Sequence, residues 1–133
     1  MRNALKVLGL GVVTLLALSS ASLAQVPVGN HYLCHKVGDN KVPAKFVPVV
    51  GVSAVDPVGA FTVDLKKPFL LCQPTAKNGS PIINPLLNYC CYKAKSATKV
   101  KANFNITDQF GALQLGTKKP FLLCNPCSVA PAP

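Results

Sequence analysis

The sequence contains no glutamate, and its one arginine, Arg2, lies in the first six residues. Four aspartates are the entire acidic complement. Without glutamate, a pair of carboxylates for general acid–base work would have to be built from Asp39, Asp56, Asp64 and Asp108 alone. Two of these, Asp56 and Asp108, open turn-like segments where aspartate caps its own backbone. No GxSxG or SxxK pattern supplies a nucleophile either. Without arginine, planar bidentate recognition of phosphate has no residue to perform it. After residue 24 no apolar run approaches membrane-spanning length, and no window carries a helical period. The sequence thus reads as that of a non-enzyme, with no cofactor and no metal expected.

Residues 1–24 carry Arg2 and Lys6, then the apolar run Val7–Leu18, then the small-residue segment SSASLA. That is the pattern of a secretory signal peptide cleaved after Ala24. The remaining 109 residues, 25–133, hold twelve lysines against the four aspartates, a net charge of +8. They also hold all six cysteines: Cys34, Cys72, Cys90, Cys91, Cys124 and Cys127. An even cysteine count in a short exported chain implies three disulfides and an extracellular, periplasmic or cell-surface location.

The chain repeats itself. Lys66-Lys67-Pro68-Phe69-Leu70-Leu71-Cys72 recurs letter for letter as Lys118-Lys119-Pro120-Phe121-Leu122-Leu123-Cys124. From Asp56 to Pro74 the two copies agree at eleven of nineteen positions, at a constant offset of 52. Earlier, His31–Val37 aligns with Asn88–Ala94 at an offset of 57. The copies span about residues 31–75 and 88–127, joined by a Pro/Asn/Gly-rich connector and followed by a loose tail. Short alternating segments rich in Val, Phe and Tyr, separated by turn signals, predict an all-β fold. The expectation is a small disulfide-stabilised sandwich or barrel-like domain, its two repeats related by a pseudo-two-fold around one shared core. Pro68 and Pro120 are expected to end strands, with Phe-Leu-Leu entering that core.

The repeat constrains the disulfides. Cys34 aligns with Cys91 and Cys72 with Cys124, leaving Cys90 and Cys127 without counterparts. The favoured set is Cys34–Cys72, Cys91–Cys124 and Cys90–Cys127. A swap between copies, Cys34–Cys124 with Cys72–Cys91, is the competing solution. Cys124-Asn-Pro-Cys127 has redox or zinc spacing, but no thioredoxin-like pattern surrounds it. His31 and His35 would share a metal only on a helix, and their segment reads as strand.

The lysines are the strongest functional signal. Both Lys pairs, with Lys93, Lys95, Lys99 and Lys101, make a basic surface that attracts anions, although lysine also guards apolar strands against aggregation. The candidate anion-binding set is Lys66, Lys67, Lys118, Lys119, Lys93 and Lys95. Anionic polysaccharide or a membrane surface is the partner class, with no specific nucleic-acid binding.

Tyr89-Cys90-Cys91-Tyr92-Lys93, Asp108-Gln109-Phe110-Gly111, KKPFLLC-Asn125-Pro126 and the connector residues Lys77-Asn78-Gly79 and Ile83-Asn84-Pro85 together resemble a repeat-domain family of exported bacterial proteins with no established activity. Copy one departs from the pattern, with Cys34-His35-Lys36 and Asp56-Pro57-Val58-Gly59 at the corresponding places. The resemblance implies an exported β module, alone or attached to larger surface proteins, and no catalytic residues. Two functions follow: a non-catalytic structural or binding module of the cell surface, or a binder of anionic glycans or lipids. A secreted hydrolase or inhibitor is the less favoured third.

Overall fold

A computed structural model describes residues 26–133. The signal segment 1–24 lies outside the described residues. Seven strands follow in order: β1 (His31–Lys36), β2 (Val49–Asp56), β3 (Gly59–Thr75), β4 (Asn88–Ser96), β5 (Asn103–Asp108), β6 (Gly111–Gly116) and β7 (Leu122–Cys127). The described residues are all-β and carry three disulfides.

Two tight hairpins form where the sequence places matched turns. Asp56 pairs with Gly59, and the Asp56 carboxylate accepts the N–H groups of Val58 and Gly59 at 2.8 and 3.1 Å. In the second copy Asp108 pairs with Gly111 and accepts the Phe110 N–H at 2.8 Å. Gly111 sits at φ 128°, backbone that suits glycine.

The 17-residue β3 organises the main sheet. Along one edge it pairs first with β2 and then with β1, and along the other with β4, which in turn pairs with β7. All these pairings are antiparallel, so β1 runs parallel to β4 and β3 parallel to β7. Those are the repeat counterparts. The copies therefore lie side by side in one open sheet, related by a shift of two strands rather than by the expected pseudo-two-fold. A two-fold would have placed β3 opposite its own counterpart or β4 opposite its own, and neither occurs. The sheet is not closed into a barrel.

Nor does a second sheet cover it. Phe61, Val63 and Leu65 alternate along the first half of β3 and are 8%, 3% and 6% exposed. Val52 of β2, Tyr92 and Ala94 of β4 and Leu123 of β7 pack around them, and Phe46 and Val100 close the cluster from loops. No residue of β5 or β6 joins it. The cover is loop, in place of the opposing sheet a sandwich would have.

Copy two breaks where copy one runs on. β3 passes through Pro68 instead of ending there: it places four residues between Leu65 and Leu70 against two between Ala94 and Cys91 of β4. That bulge accommodates a proline, which has no N–H for a central ladder. In copy two β6 stops at Gly116 and β7 starts at Leu122. The cause is the length of β4. Whereas β1 ends at Lys36 and leaves the first half of β3 to β2, β4 continues to Ser96 and pairs with β3 itself. The place that β5 would take in the sheet is occupied, and β5–β6 forms a separate two-stranded ribbon. Phe121, expected in the core, is accordingly 67% exposed.

Asp39 holds the loop cover in place. Its carboxylate accepts the backbone N–H of Phe46 at 2.7 Å and of Lys41 at 2.8 Å, and the Phe46 ring lies 5.1 Å from that of Tyr92. The Phe46 bond first and the Lys41 bond second lower the Asp39 pKa below its ordinary 3.8. A carboxylate depressed in the folded state stabilises fully above its unfolded value, and that contribution fades as pH falls through the folded one. Asp39→Ala should therefore lower the melting temperature at neutral pH, and the gap to wild type should narrow progressively below pH 3.8. Thermal melts across an acid series read this directly; a gap independent of pH would exclude the charge as its cause.

Candidate functional site

The base of the β5–β6 ribbon is bolted by one residue. The Thr117 N–H donates to the Ala102 carbonyl at 2.8 Å, and its hydroxyl accepts the Ala102 N–H at 2.9 Å and donates to the Val100 carbonyl at 3.1 Å. These bonds bring the segment entering β5 against the segment leaving β6. Lysines alternate or cluster on both: Lys99 and Lys101 on one, Lys118 and Lys119 on the other. With Asn103, Gly116 and Thr117 the four lysines line an open groove of about 560 Å³. A Cβ added at Gly116 would stand 3.1 Å from the Asn103 side-chain oxygen, so glycine keeps this wall low.

No carboxylate lines the groove. Asp39, Asp56 and Asp108 bond backbone N–H groups, and Asp64 accepts from the Gly51 N–H at 3.1 Å and from Lys66 Nζ at 3.2 Å. The Gly51 bond, then the Lys66 bond, hold the Asp64 carboxyl below its ordinary value. Lys66–Asp64 is the one ion pair among the described residues. Four lysines border one concavity, and their like charges make its surroundings attractive to an anion.

The structure separates the six lysines of the candidate anion set. Lys118 and Lys119 face the groove, while their counterparts Lys66 and Lys67 lie in the β3 bulge, Lys66 neutralised by Asp64. Lys95 pairs in register with Asp64, and Lys93 lies over the Phe69 ring at 4.6 Å. The identical KKP segments thus have different surroundings. Lys99 and Lys101 complete the groove instead, brought to Lys118 and Lys119 by the Thr117 bonds to Ala102 and Val100 and by the Asn103↔Gly116 end of the β5–β6 ladder.

The other candidates are not brought together among the described residues. Cys124 and Cys127 are not joined to each other: the disulfides are Cys34–Cys72, Cys91–Cys124 and Cys90–Cys127. His31 and His35 lie four residues apart on β1, about 13 Å along a strand, too far to share an ion. Among the described residues no cluster of three or more His, Cys, Asp or Glu could hold a metal. A second, apolar depression of about 290 Å³ is bordered by Tyr32, Cys72, Tyr89, Cys91 and Cys124. No protein-family model, curated protein or solved structure matches the chain.

Proposed function

We propose that this protein is an exported, non-catalytic β module that binds anionic polysaccharide through Lys99, Lys101, Lys118 and Lys119. The observation that carries the reading is the convergence of four lysines on one groove lined by no carboxylate. Three disulfides suit an oxidising location outside the cytoplasm, and the resemblance to exported bacterial repeat domains supports the same placement. Lysine ammoniums act as mobile point charges, not as rigid forks, so the recognition is of charge density spaced along a polymer rather than of one fixed group. A concavity of about 560 Å³ is far larger than an isolated ion needs and suits a segment of polymer.

The twin KKP segments provide an internal control. Lys118→Ala/Lys119→Ala should weaken binding to heparin by roughly thirtyfold, taking about 1 kcal/mol for each lysine facing an anionic surface. Lys66→Ala/Lys67→Ala, with the same change in net charge, should weaken it much less. Calorimetric titration at two salt concentrations measures both. Equal losses would mean that net charge alone attracts the polymer, and stronger binding to anionic lipid vesicles than to heparin would move the partner to a membrane.

A further inference from the structure

The molecule already contains one junction between copies, because β3 of copy one is hydrogen-bonded along β4 of copy two in the register Leu70↔Cys91, Leu71↔Cys90 and Cys72↔Tyr89. The two-strand shift relating the copies leaves the two halves of that junction repeated at the outer edges of the sheet. β7 is the counterpart of the second half of β3 and β1 is the counterpart of β4, and among the described residues the outer edge of each is unpaired.

The backbone at these edges has the polarity the junction requires. Cys34 faces Cys72, and Cys91 faces Cys124, each with Cα atoms 3.9 Å apart. Such close pairs are the non-hydrogen-bonded kind, whose N–H and C=O groups point away from each other. Cys72 and Cys91 therefore turn theirs inward to the β3–β4 ladder. Cys34 and Cys124 turn theirs outward, together with Tyr32 on β1 and Leu122 on β7.

We infer that the protein assembles head to tail, β1 of a second copy pairing antiparallel along β7 in the register Leu122↔Cys34, Leu123↔Leu33 and Cys124↔Tyr32. This is the internal junction repeated between chains. It stands on the sheet edges and is independent of the lysine groove.

The side chains repeat the same plan. Inside the molecule Lys93 of copy two lies over Phe69 of copy one. The counterpart of Phe69 is Phe121, 67% exposed, and the counterpart of Lys93 is Lys36 on the incoming β1. Tyr32 and Tyr89 are also counterparts, and their rings meet edge to face with centroids 5.2 Å apart across β3. In the assembly the incoming Tyr32 meets Tyr89 across β7, over the apolar depression that Cys91 and Cys124 border. Pro126, which has no N–H, stops the new ladder where Pro74 lies just beyond the last β3–β4 pair. A ladder this short gives reversible, concentration-dependent assembly. Being heterologous, it extends beyond dimers.

Sedimentation equilibrium in salt high enough to screen the lysines, over micromolar to millimolar protein, tests the proposal. The wild-type mass average should climb past that of a dimer with concentration. Leu122→Pro removes an outward N–H from an edge strand, and Phe121→Ala removes an exposed ring; both should stay at monomer mass. Leu122→Pro and Tyr32→Pro, each monomeric alone, should form a dimer and nothing larger when mixed. If a proline variant fails to fold by circular dichroism, Phe121→Ala carries the test. A wild type monomeric at every concentration would overturn the proposal, as would association untouched by Phe121→Ala or a dimer formed by Leu122→Pro alone.

Discussion

Replacing Cys91 and Cys124 together by alanine is expected to lower the free energy of unfolding by about 4 kcal/mol, a large share of the net stability of a domain this small. The bond closes a separation of 33 residues, and chain entropy in the unfolded state supplies most of the effect. Cys90–Cys127 closes a separation of 37, so on chain entropy alone the two losses should be nearly equal. They should not be. Cys91 is 1% exposed at the centre of the main sheet, whereas Cys90 is half-buried, and truncating a packed side chain adds a cavity cost to the lost crosslink. Urea unfolding of the two double variants separates the contributions: the Cys91/Cys124 variant should have the lower midpoint. Identical midpoints would show that Cys91 contributes only its bond.

Phe61→Ala should cost about 3–5 kcal/mol, the range for an aromatic truncated in a packed core. Phe61 is 8% exposed, with the Phe46 and Val100 loops closing over its cluster. Its counterpart in copy two is Leu113, which lies on the separate ribbon and is 47% exposed. Leu113→Ala should cost under about 1 kcal/mol, as surface positions do. Chemical denaturation of both variants reads how far the copies have diverged in their packing. Losses of similar size would mean that the ribbon has a core of its own.

The sequence predicts local structure well here and long-range arrangement less well. Both hairpin turns open on Asp and close on Gly, with Pro57 in the first, residues whose backbone preferences act over four positions, and both form. Gly51 sits at φ 72° on β2, where the register against β3 slips. All-β character follows from the same local signals. The relation between copies does not, because a repeat gives the unit and not the operation joining one unit to the next. The β3–β4 ladder from Leu70↔Cys91 to Cys72↔Tyr89 decides that operation, and its extension to Val63↔Ser96 displaces the ribbon; nothing local encodes either pairing. The KKP segments show the same limit at the site: identical letters lie in a continuous strand in one copy and border a groove in the other. Lys99 and Lys101 become partners of Lys118 and Lys119 through the β5–β6 ladder and the Thr117 bonds at its base, contacts distant in sequence.

The central functional claim is that the ribbon base, and not the basic surface as a whole, holds the anion. Titrating ¹⁵N-labelled protein with a short sulfated oligosaccharide tests it most directly. The account predicts that the amide signals of Lys99, Lys101, Asn103, Gly116, Thr117, Lys118 and Lys119 shift together and saturate, while those of Lys66 and Lys67 stay in place. Shifts of equal size at the two Lys-Lys pairs, or none at the ribbon base, would contradict it.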